Sequence, residues 1–150
     1  MARLARREIV QRIWTPLLVA VGLLATSAQA QMHTHSISTH GLRITVTDGW
    51  RRAGLLSDCS DPRQVLALAR SDDGALILIL ERRHGYFPAR STFRLSPRPT
   101  RFEGCCGQPS GPGYRFAFRD RGRNFYAFVY AADRGNAAGA AAVLNTLRVS

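Results

Sequence analysis

Three kinds of residue in this chain have the chemistry to attack a bond, move a proton or hold a metal: its cysteines, its histidines and the acids that would assist them. Cys59, Cys105 and Cys106 are the three thiols. A catalytic thiol needs a neighbouring histidine, and a redox pair needs Cys-x-x-Cys, which is missing here. His33 and His35 form an H-x-H, with His40 as a third imidazole, a spacing that can capture copper or zinc. No cysteine or carboxylate accompanies them to complete a tetrahedral set, so they read first as incidental members of a polar lead. His84 is the remaining candidate base; its acid would be Glu81 nearby or Glu103 at a distance, as in a small hydrolase. The Gly-rich stretch 104–113 lacks the Gly-Lys-Ser/Thr of a phosphate loop, and residues 107–111 miss the spacing of a G-x-S-x-G elbow. No cofactor is implied.

The first thirty residues bear on compartment. Arg3, Arg6, Arg7 and Arg12 precede the 13-residue uncharged run 13–25, and residues 26–30 end in Ala28-x-Ala30. That order is a cleavable secretory signal cut after Ala30. The alternative is a retained anchor, but the run is short of the ~20 apolar residues that cross a bilayer, and Pro16 interrupts it. Cleavage leaves 120 residues: a polar lead at 31–40 and one globular domain at 41–150. A periplasmic or secreted location is oxidising, where thiols pair. The expected bond joins Cys59 to Cys105 or Cys106; a vicinal Cys105–Cys106 ring or free thiols are the alternatives. Closing that loop of about 46 residues would contribute ~4 kcal/mol on the loop-entropy account.

All 21 basic residues are arginines, against 10 acids. The leader holds four of these arginines and one glutamate, so its removal leaves +8. Such a charge favours polyanions in general. The absence of lysine points instead to codon bias, and the arginines read as solvated surface. Nucleic acid is disfavoured: Tyr126-Ala127-Phe128-Val129 looks like an RNA-recognition strand but lacks the flanking basic-Gly pair and closing aromatic.

Alternation sets the elements that would position these groups. Leu42, Ile44 and Val46 alternate with polar residues, a half-buried strand closed by Asp48-Gly49 with Trp50 against the core. Segments 64–70 and 75–81 flank Ser71-Asp72-Asp73-Gly74 as a hairpin; the second is apolar at nearly every position and should be a central strand covered on both faces. Residues 82–113 are rich in Pro and Gly and read as loop with a short strand at 92–95. Tyr114, Phe116 and Phe118 begin a second hairpin that returns through 125–130. Residues 136–147 are helical, with Asn136 as N-cap. The class is α+β, a central antiparallel sheet with a C-terminal helix packed on it.

Residues 41–50 (GLRITVTDGW), 87–90 (FPAR), 102–106 (FEGCC), 114–130 and 144–149 (LNTLRV) resemble small exported proteins of high-GC bacteria. The chain also looks like the PsbP-like α/β/α sandwich group, in which an early strand ends in Gly-Trp and a final helix runs into Leu-x-x-Leu. The resemblance implies helices on both sides of the sheet, no catalytic residues, and a role in binding or assembly. The expected function is therefore a non-enzymatic exported domain that binds an envelope or extracellular protein or another envelope component. The alternatives are a secreted hydrolase built on His84 and metal capture by His33, His35 and His40.

Overall fold

The computed structural model describes residues 33–54, 56, 58, 60–104 and 107–150. The leader with Ala28 and Ala30, and all three cysteines, lie outside the described residues.

Polar residues 34–39 are the first departure from expectation. They are not an irregular lead: β1 (Thr34–Thr39) pairs antiparallel with β2 (Leu42–Thr47). His40 and Gly41 form the connecting turn at φ 47° and 73°. Two successive positive φ values make the tight turn whose twist suits a hairpin. The expected β2 strand is present, with Leu42, Ile44 and Val46 buried and the residues between them more exposed. Asp48 and Gly49 then turn the chain into β3 (Trp50–Arg52), and Trp50 is buried as expected.

The main sheet has six strands in the order β3-β4-β5-β8-β7-β6. Both expected hairpins are there: β4 (Arg63–Arg70) with β5 (Leu76–Arg82), and β7 (Gly111–Asp120) with β8 (Arg123–Tyr130). β5 lies inside the sheet and feeds two cores. Ile77 and Ile79 face one core; Leu78 and Leu80 face the other. That is why the segment shows no apolar/polar alternation.

The short strand lies at β6 (Thr100–Phe102), paired with β7, rather than at 92–95. Phe93 is nonetheless held as if in a ladder. The Asn145 side-chain amide donates to the Phe93 carbonyl at 3.1 Å and accepts from its N–H at 2.8 Å. A side chain thus supplies what a neighbouring strand would have supplied.

The helix α1 (Arg134–Asn145) starts earlier than expected. Its N-cap is Asp133, whose carboxylate accepts from the backbone N–H of Asn136 at 2.8 Å and from that residue's side-chain amide at 2.9 Å. Asn136 supports the cap from the third helical position. Ala137, Ala140, Ala141, Val143 and Leu144 are buried, and the small alanines let the helix close on β2, β5 and β8. β9 (Arg148–Val149) then returns to pair with β2, forming a second sheet ordered β1-β2-β9. Thr146 ties helix to sheet: its hydroxyl donates to the Thr45 carbonyl at 2.8 Å and accepts from the Thr45 N–H at 2.9 Å. The fold is α+β, mostly antiparallel sheet with one C-terminal helix among the described residues. A second helical layer, as in a sandwich, is not found among them. No helix among them is long and apolar enough to cross a membrane.

The face away from α1 is lined by aromatic rings. Phe102 meets Phe128 and Tyr130 at ring-centroid distances of 5.3 and 6.0 Å, and Phe87 meets Tyr126 at 4.9 Å. Gly113 makes this possible, because a Cβ there would stand 3.1 Å from the Phe102 ring.

Candidate functional site

The residues singled out for chemistry are dispersed. His84 is exposed beyond the end of β5, beside the fully exposed Tyr86, and makes no hydrogen bond or ion pair with any described residue. Glu103 follows β6, three strands away at the opposite end of the sheet. Strand spacing puts the two roughly 14 Å apart across the sheet. The register Arg82↔Asn124 and Arg119↔Asn124, against Phe102↔Gly111, adds about 27 Å along β7. Glu81 is engaged elsewhere, with Arg63 and Arg123. Among the described residues no acid is bonded to His84; Asp61, near it, accepts from the backbone N–H of Arg83 at 3.3 Å.

β1 holds the leading histidines apart. His35 is on the strand and His33 just before it, a separation of about 7 Å, and His40 occupies the far turn roughly 15 Å on. The His40 Nδ1 lies 2.9 Å from the Thr39 hydroxyl and 3.2 Å from the Val65 carbonyl. Among the described residues no group of three or more His, Cys, Asp or Glu could hold a metal ion.

The paired ions are structural. Arg123 donates to Glu81 at 2.7 and 3.0 Å, and Arg63 reaches the same carboxylate at 3.1 Å, joining β4, β5 and β8. The Arg123 guanidinium, seconded by Arg63, holds the Glu81 carboxyl below its ordinary range despite partial burial. Arg70 and Asp73 pair across the β4–β5 turn, and the Arg70 hydrogen bond draws the Asp73 carboxyl down to about 2. Arg90 and Asp120 form a third tie at 2.9 Å.

A different set of arginines is left over, and three of them line one concavity. A concavity of about 610 Å³ lies where β6 and β7 meet the preceding loop, lined by Arg94, Arg101, Arg115, Glu103, Phe102 and Phe116 among others. The Arg94 segment is fixed from two sides. Asn145 holds Phe93, and Arg134 donates to the Ser96 and Pro97 carbonyls at 2.6 and 2.9 Å. Arg101 is carried by β6, and Arg115 lies over the Tyr126 ring, 5.7 Å from its centroid. None of the three is ion-paired among the described residues. Three arginines and one glutamate line this hollow, which is therefore net positive and aromatic-edged, the character that suits a phosphate or carboxylate group.

Sequence reasoning passed over this cluster because it lies in the Pro- and Gly-rich stretch read as loop. A signal was present: Arg90, Arg94, Arg98 and Arg101 fall within residues 90–101 without one acid. Comparison with protein-family models, curated proteins and solved structures finds no match to this chain.

Proposed function

We propose that the domain is a non-enzymatic exported binding module whose partner is an envelope or extracellular component presenting anionic groups. The observation that carries this reading is the Arg94–Arg101–Arg115 concavity, held in place by Asn145 and Arg134 yet lacking ionic partners of its own among the described residues. Guanidinium groups left unpaired beside aromatic edges are suited to bidentate recognition of phosphate or carboxylate. The isolation of His84 is consistent with binding in preference to hydrolysis.

Export rests on the leader, on its order of charge, apolar run and Ala28-x-Ala30. N-terminal sequencing of the product recovered outside the cytoplasm should begin at Gln31. A crosslink from Cys59 to Cys105 or Cys106 belongs to the same reading. Leu56 and Phe102, flanking the two cysteine-bearing segments, both pack on the core that faces away from α1. Peptide mapping of the non-reduced protein should recover that linkage.

The binding test uses the full chain and an Arg94→Glu/Arg101→Glu variant, both substitutions being at exposed positions. Capture of envelope components by the parent chain should weaken as salt rises. The variant should lose most of that capture with its unfolding temperature unchanged. Equal capture by both chains would remove the concavity from the reading.

A further inference from the structure

The basic concavity has a second property, and it lies in the backbone. Among the described residues, β7 has outer partners only toward its two ends. Gly111, Pro112 and Gly113 pair with β6. At the other end the Arg119 N–H donates to the Pro88 carbonyl at 2.7 Å, and its carbonyl accepts from the Arg90 N–H at 3.0 Å. Arg119 therefore turns its main-chain groups away from β8. Along an antiparallel strand those groups change sides at each residue, so Ala117 and Arg115 turn theirs the same way. The hairpin turn agrees: Arg121 and Gly122 form a two-residue loop, so Asp120 and Arg123 bond to each other and the parity follows. Nothing among the described residues bonds to the outward N–H or carbonyl of Ala117 or Arg115, and both residues are exposed.

The gap is held open from behind. Two residues further back, the β6 register would set Arg98 opposite Arg115. The chain bends away instead. The Ser96 hydroxyl donates to the Arg98 carbonyl at 2.6 Å, and Arg134 holds the Ser96 and Pro97 carbonyls at 2.6 and 2.9 Å. The hollow beside this open edge is walled by Ser96, Thr100, Tyr114, Arg115 and Phe116. An unpaired length of strand edge is a template for another strand. Arg94 and Arg101 line the same hollow, with Glu103 as its one acid.

We infer that the concavity receives an extended acidic peptide, which adds to the Arg115–Ala117 edge of β7 as a short antiparallel strand. This rests on the anion-binding reading above and names its partner class, a polypeptide in place of a phosphate polymer or a glycan. Free main-chain groups call for a backbone, and the excess of arginine calls for acids on it. Residues opposite Arg115 and Ala117 share the face on which the Arg115 guanidinium lies over Tyr126, whereas the residue between them meets Phe116 on the other face. The matching pattern is acid, apolar, acid.

The probe is acetyl-Val-Glu-Val-Glu-Val-amide, added to the full chain and followed by amide resonances. The N–H protons of Arg115 and Ala117 should move downfield saturably and exchange more slowly. Methylating both glutamate nitrogens removes the donors that face β7 without altering charge, and should weaken binding about tenfold or more. Methylating the central valine nitrogen alters only the far edge and should change affinity by less than about threefold. Replacing both glutamates by glutamine should weaken binding about tenfold. Ala117→Pro removes one edge donor where proline is tolerated, and should weaken the peptide about tenfold at an unchanged unfolding temperature. Polyphosphate binding that depends on Arg94 and Arg101, with peptide binding absent or indifferent to glutamate methylation, would keep the anionic hollow and overturn the added strand. Equal weakening by both methylations, or equal binding of the glutamine peptide, would also overturn it. Binding of neither polyphosphate nor peptide would overturn the hollow and the strand together.

Discussion

The two faces of the six-stranded sheet are sealed by different means, although β5 serves both. On one, Ile77 and Ile79 meet Phe125, Ala127 and Val129, and α1 lies on top with Ala137, Ala140, Leu144 and then Leu147. On the other, Leu78 and Leu80 lie among Ala67, Phe128 and Tyr130, and the adjoining cover includes Phe102, Tyr126 and Leu56. A helix closes over a sheet when its contact side chains are small, whereas a face without one among the described residues uses ring area instead. Rings can shift to fill a gap more readily than a helix clamped at both ends, so the two faces should respond differently to the same injury.

The largest effect is expected on the helix side. Leu144→Ala removes a fully buried anchor that the Asp133 cap and the Thr146 clasp hold in place, and should cost about 3–4 kcal/mol in denaturant unfolding. Leu78→Ala, equally buried on the aromatic side, should cost about 2–3 kcal/mol because Phe102 and Phe128 can move toward the void. Equal losses would mean that the aromatic face is as rigid as the helical one. Asp133→Ala deletes the cap and should cost about 1 kcal/mol. The loss should appear first as faster amide exchange in the opening turn of α1.

Acid sharpens the comparison from the electrostatic side. An ordinary aspartate titrates near 3.8, whereas Asp73 in the folded chain is held at about 2. The folded state therefore binds this proton less readily than the unfolded state. The resulting stabilisation is complete above pH ~4 and is lost as pH falls toward 2. Glu81, also lowered, acts in the same direction below its ordinary 4.5. Asp73→Asn should lower stability at neutral pH and flatten its decline between pH 4 and 2. An unchanged acid slope would show that the Arg70–Asp73 pair contributes nothing measurable, as exposed pairs often do.

Much of the strand order was legible in the residues. Alternation over 42–47 and 114–119, the apolar run at 75–80, and the Asp- and Gly-bearing turns suffice for β2, β7, β5 and their hairpin partners. The strands that escaped are β1, β3, β6 and β9. β3, β6 and β9 are two or three residues long and exist only by pairing; β1 is polar apart from Ile37. The true N-cap was missed by three positions because Asp133 and Asn136 are both good caps, and only the helix's seat on the sheet chooses between them.

The candidate sites were much less legible than the fold. The histidines and acids that attract attention in the chain are set apart by the register of the sheet. Arginines that read as surface line one concavity, and the segment carrying Arg94 is held there because Asn145 and Arg134 reach back some forty to fifty residues to the 93–97 segment. A mainly apolar concavity beside α1 is lined jointly by Gly139, Thr45 and Trp50, which come from separate stretches of the chain.

Local periodicity and turn chemistry thus determined the hairpins, the helix and the α+β class, since each depends on neighbours within a few residues. Tertiary structure alone decided which charges are paired, which arginines line a common hollow and where the helix leaves space. Those outcomes depend on contacts between segments far apart in the chain, and no short stretch of residues contains them.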